Sequence, residues 1–261
     1  MKIKNMKLHF RLLAFILLNC IAEITFGKCS NEYLAFYPQS KTIKQNSFIV
    51  IEGYAWSQNI IDSLNCTFPI YLQSGKDIVN LRVDTKIVGM FGVTQAILIP
   101  ERALTPGQKY FIKINNLQDQ TLIQEWDDRL QGMTNVYWNV EKGFDKDIPN
   151  VKRSPYFIEN SSEYYGCGPE YFSHFGISYS DVSDLLIYTE LRYVKSKYYF
   201  RYYLPMLQAK KIMIGHGMCG GAFRFKDHST YEVRFKIYDF CGNTTDEFSK
   251  WIPLGNPMIN K

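Results

Sequence analysis

Tyr231-Glu-Val-Arg-Phe-Lys-Ile-Tyr238 alternates apolar side chains with polar or amphipathic ones. Successive side chains of a β-strand point to opposite faces of a sheet, so this alternation is typical of a strand with one buried face. The same period of two recurs along the chain, which is rich in Tyr and Phe, and it dominates over the 3.6-residue period of a helix. The sequence therefore predicts an all-β protein.

Other segments share this pattern and are bounded by turn-forming residues. Predicted strands lie at 48–54, 79–88, 94–99, 109–114, 171–179, 185–193, 198–204, 211–214, 222–225 and 230–238. A helix is expected only around 120–130, where the pattern is short. Strands at this spacing, joined by short turns, predict β-sandwiches.

Residues 1–27 are predicted to be a cleaved secretory signal peptide. Four basic side chains precede an apolar stretch at 12–24. Its uninterrupted apolar core, 12–18, is much shorter than the roughly 20 residues that cross a bilayer as a helix. Cleavage after Gly27 predicts a secreted or extracytoplasmic product, in the periplasm or at the cell surface, with no integral membrane span.

Loss of the signal peptide lowers the formal net charge from +5 to +2, because those residues hold four Lys or Arg side chains and one Glu. Nucleic acids and anionic membranes are bound by clustered basic side chains. The densest basic run, 192–201, is interleaved with aromatic residues and is interpreted as the solvated face of a strand pair. Nucleic acid is therefore not an expected partner.

Chain length predicts two domains, since about 100 residues is the usual size of a β-sandwich domain. The first is expected at 28–133 and the second at 155–261. Residues 134–154 are expected to contain a first strand and a polar connector that carries Gly and Pro.

Short motifs in both halves resemble bacterial Ig-like and fibronectin-type domains of secreted and cell-surface proteins. In the first half they are Tyr37-Pro38, the strand at 48–51, and the segment 99–114, in which a leucine and a Pro-Gly turn precede a Tyr-containing strand. In the second half the segment 231–243 runs from a strand into Asp-x-x-Gly-Asn. The resemblance implies two tandem Ig-like β-sandwich domains.

The residue types of Asp239-Phe-Cys-Gly-Asn243 explain why this segment is expected to form a turn. Gly242 and Asn243 tolerate positive φ, and the Asp239 carboxylate is expected to accept hydrogen bonds from the amides of the turn. Cys241 occupies a position where such turns usually carry a small residue, which suggests an added role.

Five cysteines remain after signal cleavage, so one is left over. Cys29 is predicted to bond to Cys66 in the first domain. Cys167 is predicted to bond to Cys219, because glycines beside both allow a close backbone approach. In the alternative Cys167 bonds to Cys241.

The segment Ile214-Gly-His216-Gly-Met-Cys219-Gly-Gly221 is the one candidate for metal or redox chemistry. With His228 nearby, His216 and Cys219 would offer copper or zinc suitable ligands. A Cys–His nucleophilic pair, with Cys219 or Cys241 beside His216, is a further alternative. The favoured interpretation is a structural glycine-rich turn, and no cofactor and no catalytic residue are predicted, because the sequence contains no nucleotide-binding glycine loop, nucleophile elbow or His-Glu-x-x-His helix.

Tyr198, Tyr199, Tyr202 and Tyr203 place tyrosine on both faces of one predicted strand. Only one face can be core, so the other is a candidate recognition surface, although cross-strand pairing within the sheet explains the same pattern. The predicted function is a non-enzymatic binding, adhesion-type or envelope accessory protein that recognises a protein or glycan at the cell surface. The alternative is an exported metal-binding or thiol-redox protein centred on His216 and Cys219.

Overall fold

The computed structural model of the chain describes residues 29, 32–180, 184–206 and 211–258, so the predicted signal peptide lies outside the described residues. The strands are β1 (Glu32–Tyr37), β2 (Thr42–Lys44), β3 (Ile49–Ala55), β4 (Ile70–Ser74), β5 (Asp77–Val88), β6 (Val93–Pro100), β7 (Lys109–Ile114), β8 (Gln124–Asp127), β9 (Gly132–Asn135), β10 (Tyr137–Glu141), β11 (Val151–Tyr165), β12 (Gly168–Tyr179), β13 (Leu185–Tyr193), β14 (Phe200–Pro205), β15 (Lys211–His216), β16 (Tyr231–Asp239) and β17 (Ile252–Leu254). A short helix, α1 (Gln58–Asp62), and a 3₁₀ turn at Gln120–Ile123 complete the described elements. The prediction of an all-β protein is confirmed.

The first half forms one eight-stranded sheet, the N-terminal sheet, in the order β1-β3-β6-β5-β4-β7-β10-β2. Strand β5 links its two parts, because residues 77–80 pair with β4 and residues 81–88 pair with β6. A register shift between Val83 and Thr85 interrupts the second ladder. Side chains from both parts, such as Ile51 and Trp138, share one buried core.

The second half forms a three-stranded sheet, β11-β12-β15, and a four-stranded sheet, β14-β13-β16-β17. Buried side chains of both sheets meet in one core, so we call this half the C-terminal sandwich. In β16 buried and partly exposed residues alternate along the whole strand, as its sequence predicts.

Several strand predictions are confirmed and others are wrong. The strands predicted at 109–114 and 185–193 are β7 and β13. The segment 222–225 forms no strand, although Phe223 and Phe225 are buried in the core. The helix expected around 120–130 is instead a 3₁₀ turn followed by β8, because pairing with β9 overrides the weak helical pattern.

The segment 134–154, predicted to hold a first strand and a connector, contains β10 and the start of β11. Strand β10 pairs antiparallel with β7 and parallel with β2, so it belongs to the N-terminal sheet. The division into domains at 28–133 and 155–261 stays a prediction.

The turn after β16 has the predicted chemistry. Cys241 N donates to Asp239 Oδ1 at 2.8 Å and Asn243 N donates to the same oxygen at 2.9 Å. Gly242 adopts a φ of 91°, a conformation that suits glycine. The buried carboxylate therefore satisfies the amides of this turn.

The two halves share apolar core across their junction. Tyr54, Ile87 and Val93 of the N-terminal sheet are buried in the core of the C-terminal sandwich. A smaller cluster places Val50 and Ile97 of the N-terminal sheet against Leu186 and Phe240 of the sandwich. Main-chain hydrogen bonds between Phe91 and Gly221 add an antiparallel bridge.

Gln95, on β6, is completely buried at this junction and pairs with the main chain of β14. Its Nε2 donates to the Tyr203 carbonyl oxygen at 3.1 Å, and its Oε1 accepts from Tyr203 N at 2.9 Å. An edge strand exposes unpaired N–H and C=O groups, and unsatisfied buried groups cost free energy. The side chain of Gln95 thus makes the two hydrogen bonds that the main chain of a neighbouring strand would make at this edge.

Glu52, on β3, is a partly buried carboxyl group beside the junction. Tyr202 of β14 donates its hydroxyl to Glu52 Oε2 at 2.8 Å. Burial raises the pKa of the Glu52 carboxyl, and hydrogen bonds from Tyr202 and Tyr33 oppose that rise. Folding therefore favours the protonated form, so the contribution of this group to stability is greatest at acid pH and is lost as the pH rises through its folded-state pKa.

Among the residues that the structure describes, no helix combines the length and the apolar character required to span a membrane.

Replacement of Tyr202 by Phe should lower the free energy of unfolding by about 1.5–3 kcal/mol at neutral pH, because it removes one of the two hydroxyl groups, those of Tyr202 and Tyr33, that donate to the Glu52 carboxylate. The loss should shrink at acid pH, where Glu52 is protonated. Urea unfolding of both proteins over a pH series measures this difference. Tyr71→Phe, which removes an exposed hydroxyl bonded to Asn115, is the control, and a loss for Tyr202→Phe that does not change with pH would contradict the assignment.

Candidate functional site

The described disulfide joins Cys29 to Cys219, so the predicted pairs of Cys29 with Cys66 and of Cys167 with Cys219 are not those of the structure. Cys66 is exposed and forms no disulfide within the part of the chain that the structure describes. Cys29 lies close to Cys219, with 5.7 Å between their Cα atoms, because the junction of the two halves brings them together. Local sequence carries no information on that contact.

A third sulfur lies beside this bond. The sulfur atoms of Cys29, Cys167 and Cys219 all lie within 4.8 Å of one another, and all three residues are partly exposed. We call this group the three-sulfur cluster. Three sulfurs can share only one disulfide at a time, so the group has both a bond and a neighbour able to attack it.

Tight turns place these cysteines. Cys167 and Gly166 form the two-residue tip of the hairpin between β11 and β12, where Tyr165 pairs with Gly168. Cys219 lies in the loop after β15, which is closed by a hydrogen bond from Gly217 N to the Gly220 carbonyl oxygen at 3.0 Å. The sequence signal for this site is the set of glycines around the cysteines.

Gly215 allows β15 to approach β12 just before that loop. Its φ is 146°, and a Cβ atom there would overlap the carbonyl oxygen of Tyr171. A Cβ atom at Gly220 would lie 2.7 Å from the ring of Tyr54. Both glycines are therefore required by close packing around the cluster.

A cleft of about 730 Å³ opens beside the cluster, between the two halves of the chain. Cys167, His216 and Met218 line it together with Phe91 from the N-terminal sheet. Arg224 lies at the cleft with its guanidinium over the ring of Phe91, 4.9 Å from the centroid. Cys167 can thus be reached by small molecules from solution.

His216 is a buried, oriented imidazole. Its ring makes edge contacts with Phe91, 5.2 Å between centroids, and with Tyr171 at 5.7 Å. Nδ1 donates to the Gly217 carbonyl oxygen at 2.8 Å, which leaves Nε2 as the nitrogen with a lone pair. Burial lowers the pKa of His216, and its neutral form is therefore favoured.

The residues predicted for a metal site do not come together as one ligand set. Within the described ranges, the group of potential ligand atoms near Cys219 contains only the three sulfurs and includes neither His216 nor His228. His228 is exposed in the turn before β16. In the disulfide, Cys219 also has no thiolate to offer a metal.

Cys241 is the cysteine least suited to nucleophilic chemistry. Its sulfur lies 3.4 Å from Ser47 Oγ. Burial raises the pKa of this thiol to about 11, so it stays protonated at neutral pH and is a poor nucleophile. The alternatives that used Cys241, as partner of Cys167 or as nucleophile beside His216, are not supported by this environment.

Of the four tyrosines of the predicted recognition surface, some are exposed in the structure and others are buried or half-buried. Strand β14 begins at Phe200, so Tyr198 and Tyr199 precede it, and they are 87% and 45% exposed. Tyr202 is buried and bonded to Glu52, so it cannot contact a ligand. Tyr203 is half-buried and packs on Tyr188, with ring centroids 4.8 Å apart.

Two residues that were not predicted to belong to this surface, Phe200 and Val88, extend its exposed part. Phe200 is 40% exposed, and Val88, at the end of β5, is 70% exposed. Val88, Tyr199 and Phe200 line a shallow cleft of about 230 Å³, flanked by Lys86 and Arg201. We call Val88, Tyr198, Tyr199 and Phe200 the aromatic patch; tertiary packing alone brings Val88 to it.

No protein-family model matches the chain, and no curated protein matches its sequence. Among solved structures, the tandem Ig repeats of Dlar align at 13% identity over 85% of this chain and 95% of that one, with a TM-score of 0.23. A cytokine receptor complex aligns at 10% identity over 86% and 96%, with a TM-score of 0.27. Pullulanase type I from Bacillus subtilis aligns at 9% identity and a TM-score of 0.25 over 87% of this chain, which spans 24% of that enzyme. Likenesses this weak carry no argument on function.

Replacement of Gly215 by Ala should destabilise the protein by about 3 kcal/mol or more, because a backbone overlap adds to the strain of a positive φ. Gly75→Ala is the matched control, since Gly75 also has a positive φ, 59°, but no atom lies within 4 Å of its Cβ position. The control should lose about 1–2 kcal/mol. Urea unfolding compares the two variants, and equal losses would show that packing at Gly215 is unimportant.

Proposed function

We propose that the chain acts outside the cytoplasm as a non-enzymatic binding protein, of the adhesion type or as an envelope accessory protein. Its partner is a protein or a glycan at the cell surface. The proposal rests on one observation: Tyr198 and Tyr199 are exposed, and Tyr199 lines a shallow cleft with Val88 and Phe200 at the junction of the two halves.

The chemistry of the aromatic patch supports recognition of such a partner. Exposed tyrosines combine a large apolar ring with a hydroxyl group, and they are enriched where proteins bind other molecules. Grouped apolar side chains at a surface are typical of interaction sites. Lys86 and Arg201 beside the shallow cleft add cationic groups that suit a polar or anionic partner.

The fold and the cellular location belong to the same proposal. The two halves are proposed to be tandem Ig-like β-sandwich domains of a bacterial secreted or cell-surface protein. The mature protein is proposed to form by cleavage of residues 1–27 during export. An all-β chain with a disulfide between Cys29 and Cys219 is compatible with an oxidising compartment outside the cytoplasm.

A second candidate function is the exported metal-binding or thiol-redox protein, and the three-sulfur cluster favours it. Reduced to thiolates, Cys29, Cys167 and Cys219 would offer copper or zinc the soft ligands that these ions prefer. Native mass spectrometry of the reduced protein separates the two functions. One bound metal ion that is lost in Cys167→Ser would favour the second candidate over the first.

The binding proposal predicts that Tyr198→Ala/Tyr199→Ala weakens recognition while the fold is kept. Labelled protein is applied to an array of defined oligosaccharides and to intact bacterial cells. The double variant should bind at least about thirtyfold more weakly than the wild type, equivalent to about 2 kcal/mol, since two exposed aromatic anchors are removed.

Trp126→Ala is the control, because Trp126 is also exposed but lies in the β8–β9 hairpin. It should bind like the wild type. Equal binding by the double variant would exclude the aromatic patch, and a wild type that binds neither probe would contradict the function itself.

A further inference from the structure

We propose that Cys29, Cys167 and Cys219 form a thiol–disulfide exchange site, in which Cys167 displaces Cys29 from its bond to Cys219. This inference goes beyond the proposed binding function and does not depend on it. It assigns a covalent reaction to a group of side chains that the aromatic patch does not use.

Geometry carries the first step of the argument. The three sulfur atoms lie within 4.8 Å of one another, and the bond joins only two of them. A thiolate held this close to a disulfide reacts at a high effective concentration, because no diffusional encounter is needed. The third sulfur is thus placed for attack on either atom of the bond.

The exchange balances within the chain. Cys167 loses its proton to solvent, and its thiolate attacks Cys219 Sγ. A sulfur–sulfur bond forms between Cys167 and Cys219 as the bond between Cys219 and Cys29 breaks. The electron pair of the broken bond leaves on Cys29, which takes up a proton from solvent, so no outside oxidant or reductant is required.

Attack on Cys219, rather than on Cys29, follows from the backbone beside it. The hairpin tip that carries Cys167 already rests against the loop that carries Cys219, since a Cβ atom at Gly168 would lie 3.6 Å from the carbonyl oxygen of Met218. Gly166, Gly168 and Gly220 flank the two cysteines and allow their backbones to adjust. Little movement is therefore needed to close the new bond.

The two bonds tie different parts of the protein together. The bond between Cys29 and Cys219 attaches the segment before β1 to the C-terminal sandwich, across 190 residues of sequence. The bond between Cys167 and Cys219 joins two loops within that sandwich and releases Cys29. The exchange thus converts an internal disulfide into a thiol at Cys29 that can attack a disulfide of a partner molecule.

The test follows the linkage of the purified, oxidised protein during incubation at mildly alkaline pH without added thiol. Samples are alkylated with N-ethylmaleimide, digested without reduction and examined by mass spectrometry. We expect peptides that link Cys167 to Cys219, with Cys29 alkylated, to appear beside those that link Cys29 to Cys219. Cys167→Ser should lose the new linkage completely.

Two further variants remove ambiguity. Incubated with glutathione disulfide, which accepts the two electrons, Cys29→Ser should link Cys167 to Cys219 and leave both unlabelled, with its fold checked by urea unfolding. Cys66→Ser, at an exposed cysteine outside the cluster, should give the linkages of the wild type.

Three results would overturn the proposal. The first is a wild type that keeps only the bond between Cys29 and Cys219 and is fully alkylated at Cys167 throughout. The second is a folded Cys29→Ser variant that is alkylated at both Cys167 and Cys219. The third is a zinc or copper ion bound to the reduced cluster with no new linkage on oxidation, which would identify a metal site instead.

Discussion

Burial of apolar surface at the junction of the two halves is the constraint on which the rest depends. Tyr54, Ile87 and Val93 enter the core of the C-terminal sandwich, so the polar groups beside them also leave water. Hydrophobic burial is favourable only where such polar groups find partners. Gln95 and Glu52 meet this condition, the first through the main chain of β14 and the second through Tyr202.

Strands were predictable where one face of a sheet is buried and the sequence alternates, as in β16 and β7. Strand β11 was not predicted, since most of its residues are exposed and its sequence includes Pro155. The segment around Phe223 is the opposite case, because its sequence predicts a strand that does not form. Its apolar residues are buried in the core, but its backbone makes isolated hydrogen bonds, such as that from Phe223 N to the Gly215 carbonyl oxygen at 3.2 Å, rather than a ladder.

The sequence indicated which residues were candidates for function, but it did not indicate which of them are in contact. The sequence singled out Cys219 and His216 from their glycines, and Tyr198 and Tyr199 from their clustering. It did not predict that Cys29 is bonded to Cys219, or that Tyr202 is buried beside Glu52. Both contacts cross the junction of the two halves, and their geometry exists only after these halves have packed.

The order in which the chain is synthesised determines when the disulfide can form. Cys29 leaves the ribosome early, whereas Cys219 follows 190 residues later and Cys167 is made between them. Cys29 cannot form this bond until five of the seven strands of the C-terminal sandwich, β11 to β15, have been translated. A chain that stops short of Cys219 therefore lacks this disulfide, so the bond distinguishes chains that extend past Cys219 from those truncated before it.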